Sequence, residues 1–468
     1  MKRTGNEVRR VTVAAATIMA LATTAAMVWA GIPPLSFAAF VNVPLGPPGC
    51  TANVDCSEGA LDVTAGDFNN DGHLDIATAN NGSDDITVFL GNGSGGLTYK
   101  FTGAAPAGPA GIAAGNLNEG TVLDLVVSKE MSNNIGVFIG NGDGTFQDEV
   151  EYDMGGSPEA VVLADFNGDG NLDVATADLF PDPITGDSTV SVRLGTGHGT
   201  FGDRMVTVMD GDPFGMAVGR VDAGDTLDLV VSLYSNGQVV TLLGDGTGHF
   251  TLAQPADVNL GPRGVALADY NGDGMLDVAV TTECEDILDV LFGNGDGTFQ
   301  TPTPYGVGGL PESVVAGDFN GDGIIDLATA DAFGTIDFDG DVSILVGQGG
   351  GAFADAQQFE VDLGPYGLVA ADLNGDRLPD LITANLDSDP PTVSTLRNTG
   401  TPPTPSCVGD CNGDGMVLIN ELVLGVNIAL GSTPVSACPA FDANGNGMVL
   451  INELISGVNN ALAGCPMG

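Results

Sequence analysis

The sequence predicts an all-β seven-bladed β-propeller followed by a small α-helical module, and three observations predict it. A nonapeptide with oxygen-bearing side chains at positions 1, 3, 5 and 9, clearest in Asp165-Phe166-Asn167-Gly168-Asp169-Gly170-Asn171-Leu172-Asp173, recurs along the chain. Its first positions are Asp67, Asn116, Asp165, Arg220, Asp269, Asp318 and Asp372, in steps of 49, 49, 55, 49, 49 and 54 residues. A period near 50 belongs to propellers and arrays. The third observation is the abundance of Gly, 71 residues, which suits many tight turns and does not suit helices.

Each unit repeats one grammar. In the third, the apolar run Ala160–Ala164 leads into the loop and Val174–Ala177 leaves it. Thr189–Leu194 then alternates with period two, as a half-buried strand does. A Gly-rich turn follows, seen most plainly in the second unit as Gly140-Asn141-Gly142-Asp143-Gly144-Thr145-Phe146, and a fourth extended run completes the unit. Four short strands in each of seven units are blades around an axis. The seventh unit stops at Thr392–Asn398, after its third strand, while Ser36–Val43 near the N-terminus resembles the missing fourth. An N-terminal strand completing the last blade would leave no open sheet edge; the alternative is an ordinary lead-in segment, and cleavage after Ala38 would remove Phe37.

Residues 1–30 read as an export signal. Lys2, Arg3, Arg9 and Arg10 precede the apolar run Val11–Ala30, with cleavage expected after Ala30 or as late as Ala38. An uncleaved anchor is the alternative, since the run is nearly long enough to span a bilayer. No later segment is, so the mature chain has no membrane span and the expected location is secreted, extracellular or cell-surface. The net charge of −49 accompanies 43% hydrophobic residues, so acidity coexists with a core rather than marking a disordered polymer. With 12 Lys and Arg to neutralise phosphates, nucleic acid is excluded as a partner. Seven Cys fit an oxidising compartment. Cys407, Cys411, Cys438 and Cys465 cluster near the C-terminus as a disulfide set rather than a zinc site, their pairing open, and Cys284 is left over.

Alternating oxygen ligands with a Gly at position 6 describe a loop that wraps a hard cation, the Gly aiming the next carbonyl inward. Four units keep the full pattern: Asp67, Asn69, Asp71 and Asp75; Asp165, Asn167, Asp169 and Asp173; Asp269, Asn271, Asp273 and Asp277; Asp318, Asn320, Asp322 and Asp326. Position 7 contributes its backbone carbonyl, from His73, Asn171, Met275 and Ile324. Three carboxylates and an amide suit Ca2+ better than Mg2+; the alternative is a set of Asx turns stabilised by their own side chains. Unit seven keeps Asp372, Asn374, Asp376, the Leu378 carbonyl and Asp380, but Arg377 replaces the Gly and is forced toward positive φ. Unit two (Asn116, Asn118, Gly120, Asp124) and unit four (Arg220, Asp222, Gly224) are expected to have lost the metal. Gly-x-Gly-x-Gly lacks a following helix N-terminus and reads as a hairpin turn, not a phosphate cradle.

The Asp-Phe-Asn-Gly-Asp-Gly-x-x-Asp loop followed by Gly-Asn-Gly-Asp-Gly-Thr-Phe resembles the FG-GAP/VCBS repeat family and is similar to the propeller of integrin alpha chains. The resemblance covers roughly residues 36–398. It implies a seven-bladed propeller with several calcium ions in its loops, and no single activity. After a Pro/Thr linker at 399–406, residues 407–468 change grammar. Asp410, Asn412, Asp414, Gly415 and Glu421 take positions 1, 3, 5, 6 and 12 of an EF-hand-like loop, with Met416 supplying a carbonyl. Asp442, Asn444, Asn446, Gly447 and Glu453 repeat it, with Met448 at position 7. Leu422, Val426 and Leu430, then Leu454, Val458 and Leu462, have helical spacing. This region resembles a type I dockerin, which implies a cohesin-like partner; a self-contained calcium clasp is the alternative.

No nucleophile–base or His-based zinc motif appears, and His73, His198 and His249 fall in loops and turns. The one Trp, Trp29, lies in the export segment, leaving Tyr99, Tyr152, Tyr234, Tyr270, Tyr305 and Tyr366 for stacking. The expectation is a secreted or cell-surface, non-catalytic, calcium-binding propeller for extracellular protein or glycan binding and adhesion, attached by its tail. The alternative is a polysaccharide-active lyase or hydrolase. Convergent acids and exposed aromatics in a cleft would favour the enzyme, and a smooth apolar patch would favour protein adhesion.

Overall fold

The computed structural model describes residues 34–47, 59–183, 186–333 and 340–400, the helix Ile419–Ala429, and the single residues Val417, Cys438, Phe441, Leu454 and Val458. The expected export segment and the expected loop ligands Asp410, Asn412, Asp414, Met416, Asp442, Asn444, Asn446, Met448 and Glu453 lie outside these.

Seven antiparallel sheets follow one another as the repeat predicts. Blade one comprises Ala60–Gly66, Asp75–Asn80, Asp85–Gly91 and Leu97–Ala104, paired in sequence order. Blade three, with Gly156–Ala164, Asp173–Phe180, Thr189–Gly195 and Phe201–Val208, has the same order. In blade four the outer strand is broken, Phe250–Leu252 and Ala256–Asp257 both pairing with Gln238–Gly244. First strands of neighbouring blades pack on one another around a closed ring, that of blade seven (Pro365–Ala371) against that of blade one.

The ring closes as the N-terminal sequence suggests. Val41–Pro44 pairs antiparallel with Thr392–Leu396 and supplies the fourth strand of blade seven, Val41 opposite Thr395 and Pro44 opposite Thr392. Upstream, Ala38 N–H donates to Arg397 O (2.9 Å), and Thr399 N–H donates to Ser36 O (2.6 Å). A free edge there would present unpaired N–H and C=O groups as a template for aggregation.

The blades stack face to face, which buries the second strands on both sides, their polar residues included. Asp75–Asn80, Asp124–Lys129 and Asp277–Thr282 are buried at every position, whereas outer strands such as Val150–Asp153 are mostly exposed. Core clusters accordingly span blade pairs: Phe166, Ala177 and Val190 of blade three join Leu229, Val240 and Leu242 of blade four.

In the C-terminal region, Ile428 of the helix is buried with Cys438 and Phe441, with Leu422, Leu424 and Leu454 packed on them. Val426 and Val458, expected on the inner helix faces, are instead 45% and 42% exposed. The apolar seam runs through Leu424 and Ile428, one turn apart. Among the described residues no helix is long and apolar enough to cross a membrane.

Candidate functional site

Two sets of residues gather at opposite ends of the blades. The first is the recurrent loop between first and second strands. In blade three Asp165 Oδ1 accepts the N–H groups of Gly168 (2.7 Å) and Asp169 (3.1 Å), and its Oδ2 accepts that of Gly170 (2.8 Å). Asn167 Oδ1 accepts Asp169 N–H, and Asp169 Oδ1 accepts Asn171 N–H, which holds that carboxyl below its ordinary value. Blades five and six reproduce these bonds at Asp269, Asn271 and Asp273 and at Asp318, Asn320 and Asp322. Blade one keeps most of them around Asp67, Asn69 and Asp71. In blade seven Arg377 adopts φ 75°, and its N–H reaches Asp372 Oδ2 (2.7 Å) just as Gly170 reaches Asp165. The loops of blades two and four differ: no residue in them has positive φ, and fewer loop N–H groups are collected by their side chains.

Position 9 does something the ligand pattern does not convey. Asp173 is fully buried, with Oδ2 accepting Phe166 N–H (2.9 Å) and Oδ1 accepting Gly195 N–H (2.8 Å) at the end of the third strand. The same two-point clamp recurs in every blade, at Asp75, Asp124, Asp228, Asp277, Asp326 and Asp380. It therefore persists in blades two and four, where the metal pattern is degraded. Burial pushes Asp173 and Asp380 up to about 6 and Asp326 to about 7, the acids at positions 1 and 5 adding to the rise.

The two sequence motifs also meet across blades. The turn of blade two donates Gly144 N–H to Phe68 O in the loop of blade one (3.1 Å), and Gly199 donates likewise to Leu117 O (2.7 Å). Phe68 packs edge-on against Phe146 (5.7 Å), as Phe166 does against Phe250 (5.4 Å) and Tyr270 against Phe353 (5.7 Å). Each loop is thus tied to the next blade's hairpin turn.

The donor chemistry of the loops, carboxylate and amide oxygens at alternating positions, fits a hard cation. In blade six Asp322 Oδ2 is buried without a hydrogen-bond partner, as is Asn320 Nδ2 in the same loop. Among the described residues no three His, Cys, Asp or Glu side chains converge on one point, and most loop acids are turned onto loop N–H groups.

The second set lies on the axis. Every first strand carries a bulge near its start, as between Pro109 and Ile112, Pro158 and Ala160, and Pro311 and Ser313. A bulge re-aims a side chain. Here one residue per blade sits at the bulge and lines an axial cavity of about 430 Å³: Leu61, Ala110, Glu159, Phe214, Arg263, Glu312 and Tyr366. Hydroxyls lock the ring. Ser128 Oγ accepts Gly111 N–H (2.8 Å) and donates to Glu159 O of the next blade (2.7 Å), and Ser232 links Gly215 to Arg263 O in the same way. In blade three Gly156 pairs with Phe180 at one end of the strands, and Ala164 pairs with Asp173 beside the loop at the other. The cavity therefore lies at the end of the strands away from the loops.

Arg263 organises one wall. It ion-pairs with Glu283 (2.7 Å) and Glu312, and its guanidinium lies 4.6 Å from the Phe214 ring centre and 5.8 Å from that of Tyr366. Burial holds Glu312 at about 7 despite that partner. Burial and the neighbouring Glu130 carboxylate hold Glu159 at about 7. Asp62 is pushed up to about 6 by burial, against the pull of Ile112 and Val63 N–H. Of these residues only Tyr366 figured among the sequence's candidate stacking residues. The signal was present: Pro stands seven positions before the loop in six of seven units, from Pro109 to Pro365, and the next residue is the axial one.

The FG-GAP-like repeat pattern matches residues 67–127, 121–176, 224–280 and 269–329. The chain carries FG-GAP-like repeats. A streptogramin B lyase is similar in structure at 14% identity over 77% of this chain and 98% of that one, with a TM-score of 0.50. BBS1N, in its complex with ARL6DN, is similar at 11% identity over 78% and 98%, with a TM-score of 0.52. Likeness at such identity concerns the fold alone. No curated protein matches the sequence.

Proposed function

We propose that these FG-GAP-like repeats form a secreted or cell-surface, non-catalytic binding propeller, stiffened by calcium in the loops and engaging an extracellular protein or glycan ligand through the axial cavity. The observation that carries this reading is the division of labour along the strands. The loops are spent on tying blades together, while the cavity at the other end gathers charged and aromatic side chains that the fold does not require there. The intact loops of blades one, three, five and six, and that of blade seven, are the proposed calcium sites. The C-terminal region attaches the propeller, with a cohesin-like protein as its proposed partner.

A second reading has one observation in its favour. Glu159 and Glu312, on one cavity, both hold their protons to about pH 7, which is what a general acid for polysaccharide cleavage needs. A glycan and extracellular-protein array, paired with a polysaccharide-turnover screen and run with calcium and with chelator, separates the two. The binding reading expects capture without turnover, loss of capture in Tyr366→Ala and Glu159→Gln, and a lower Tm in chelator. Turnover abolished by Glu159→Gln would establish the enzyme instead. A Tm indifferent to chelator would remove calcium from the account.

A further inference from the structure

Resting on the axial cavity as the ligand site, we infer that it takes a primary ammonium group carried on a compact ring or short apolar frame, held on the Glu130–Glu159 side. The charge distribution decides against an anion. The one guanidinium lining the cavity, Arg263, is committed to Glu283 and Glu312 and covered by Phe214, so it has little left to offer a carboxylate or phosphate.

The other side has the opposite character. Asp62, Glu130 and Glu159 all line the cavity, and among the described residues no ion pair reaches any of them. Apart from Glu130 and Glu159, which interact with one another, their partners are neutral donors. Asp62 takes the N–H groups of Ile112 (2.9 Å) and Val63 (2.8 Å), Glu130 takes the Asn81 amide (3.0 Å), and Glu159 takes the Ser157 hydroxyl at 3.4 Å. The ring residue on this side is Ala110, followed by Gly111, whereas the other positions carry long or aromatic side chains. Space therefore coincides with acids that no ion pair offsets, two of them, Glu130 and Glu159, side by side, and a bound cation would favour their ionised forms. A neutral polyol placed there exchanges water's hydrogen bonds for similar ones. An ammonium adds charge-assisted bonds, roughly twice as strong, in a site partly shielded from solvent. Phe214 and Tyr366, whose rings lie near Arg263 on the opposite wall, bound the space into which the carrying frame extends, and about 430 Å³ accommodates one ring with its substituents.

Isothermal titration calorimetry on the full calcium-loaded chain tests this with two matched pairs, benzylamine against benzyl alcohol and glucosamine against glucose. At least one amine is expected to bind about tenfold or more tighter than its neutral partner, and which pair responds tells an aromatic frame from a sugar frame. Glu159→Gln and Glu130→Gln, each checked for an unchanged Tm, should each remove most of that preference. Neutral partners binding as tightly as the amines, or amine affinity unchanged in both variants, overturns the ammonium. If neutral compounds bind and Tyr366→Ala abolishes their binding, the ammonium falls while the cavity stands as the ligand site. If none of the four binds, and array capture survives Tyr366→Ala and Glu159→Gln, the cavity itself is the wrong site.

Discussion

At the residue scale, the position five residues beyond each clamp Asp shows how one site solves a burial problem in different ways. Blade three places Asp178 there, fully buried, with the hydroxyls of Thr176 (2.7 Å), Thr189 (2.7 Å) and Ser191 (2.5 Å) donating to it. Burial nevertheless pushes it from 3.8 up to about 6, the three hydroxyls and Arg204 pulling the other way. Blades one and seven place Asn80 and Asn385 at the same point, and Asn385 donates to Thr392 (3.0 Å) and Ser394 (2.9 Å) while accepting from Thr383 (2.8 Å). The sign of the linkage is that of a raised acid. Between pH 3.8 and 6 the native state holds a proton that the unfolded state has released, so stability falls as pH rises through this window and stays lower above it. A two-unit rise corresponds to roughly 3 kcal/mol at most. Asp178→Asn removes the ionising group and keeps a shape the fold already uses twice. It should gain roughly 1–2 kcal/mol at pH 7.5 after its hydrogen bonds rearrange, and nothing comparable at pH 4. Urea unfolding of both proteins at the two pH values measures this. Parallel pH dependence in variant and wild type would refute the assignment.

At the element scale, the loop combines two functions that its sequence does not separate. Positions 1, 3 and 5 collect loop N–H groups and are the proposed cation ligands. Position 9 staples the loop to the end of the third strand, and it does so in all seven blades. Two substitutions divide these roles. Asp124→Asn, in the loop of blade two, which is not a proposed calcium site, turns an amide NH2 toward one of the two N–H groups it accepts, Leu117 (3.0 Å) or Gly140 (2.8 Å). The expected cost is about 2–4 kcal/mol, equal in calcium and in chelator. Asp169→Asn removes an exposed acid at position 5 of blade three, so it should lower stability in calcium and change little in chelator. Melting curves of both variants in both conditions decide the point, and a calcium-dependent loss in Asp124→Asn would refute the clamp. This overlap also explains what was legible beforehand. The 49-residue period made blade number, strand order and loop positions readable, and Arg377 in a Gly position correctly implied positive φ. The clamp was hidden because a metal ligand and a buried acceptor require the same residue, Asp. The axial ring was hidden because its residues share an offset and a bulge but no chemical type, from Ala110 to Arg263. In the C-terminal helix several apolar residues fit the helical period, and packing on Cys438 and Phe441 takes Ile428, Leu424 and Leu422 and leaves Val426 exposed.

At the scale of the whole molecule, circular closure makes the N-terminal segment a structural part of the last blade, which bears on where the proposed export leader would be cut. Val41–Pro44 forms the closing strand, but the seal extends further upstream. Leu35, Phe37 and Phe40 pack on the core formed by Phe319, Val342 and Leu368 of blades six and seven. Phe37 stands edge-on to Phe359 at 5.1 Å and is bridged to Asn398. If the leader is cut on export, cleavage after Ala38 would strip Leu35 and Phe37 together with the bonds from Thr399 to Ser36 and from Ala38 to Arg397. Partial burial of two such side chains contributes roughly 1–3 kcal/mol, concentrated where the ring is held shut by hydrogen bonds between the two ends of the propeller. Cleavage after Ala30 keeps all of it. Intact mass and N-terminal sequencing of the exported protein should therefore find Gly31 first. A protein made to begin at Ala39 should melt several degrees lower than one beginning at Gly31 and should self-associate through the loosened edge of Thr392–Leu396. Equal melting temperatures and equal monodispersity would show that Val41–Pro44 alone suffices to close the ring.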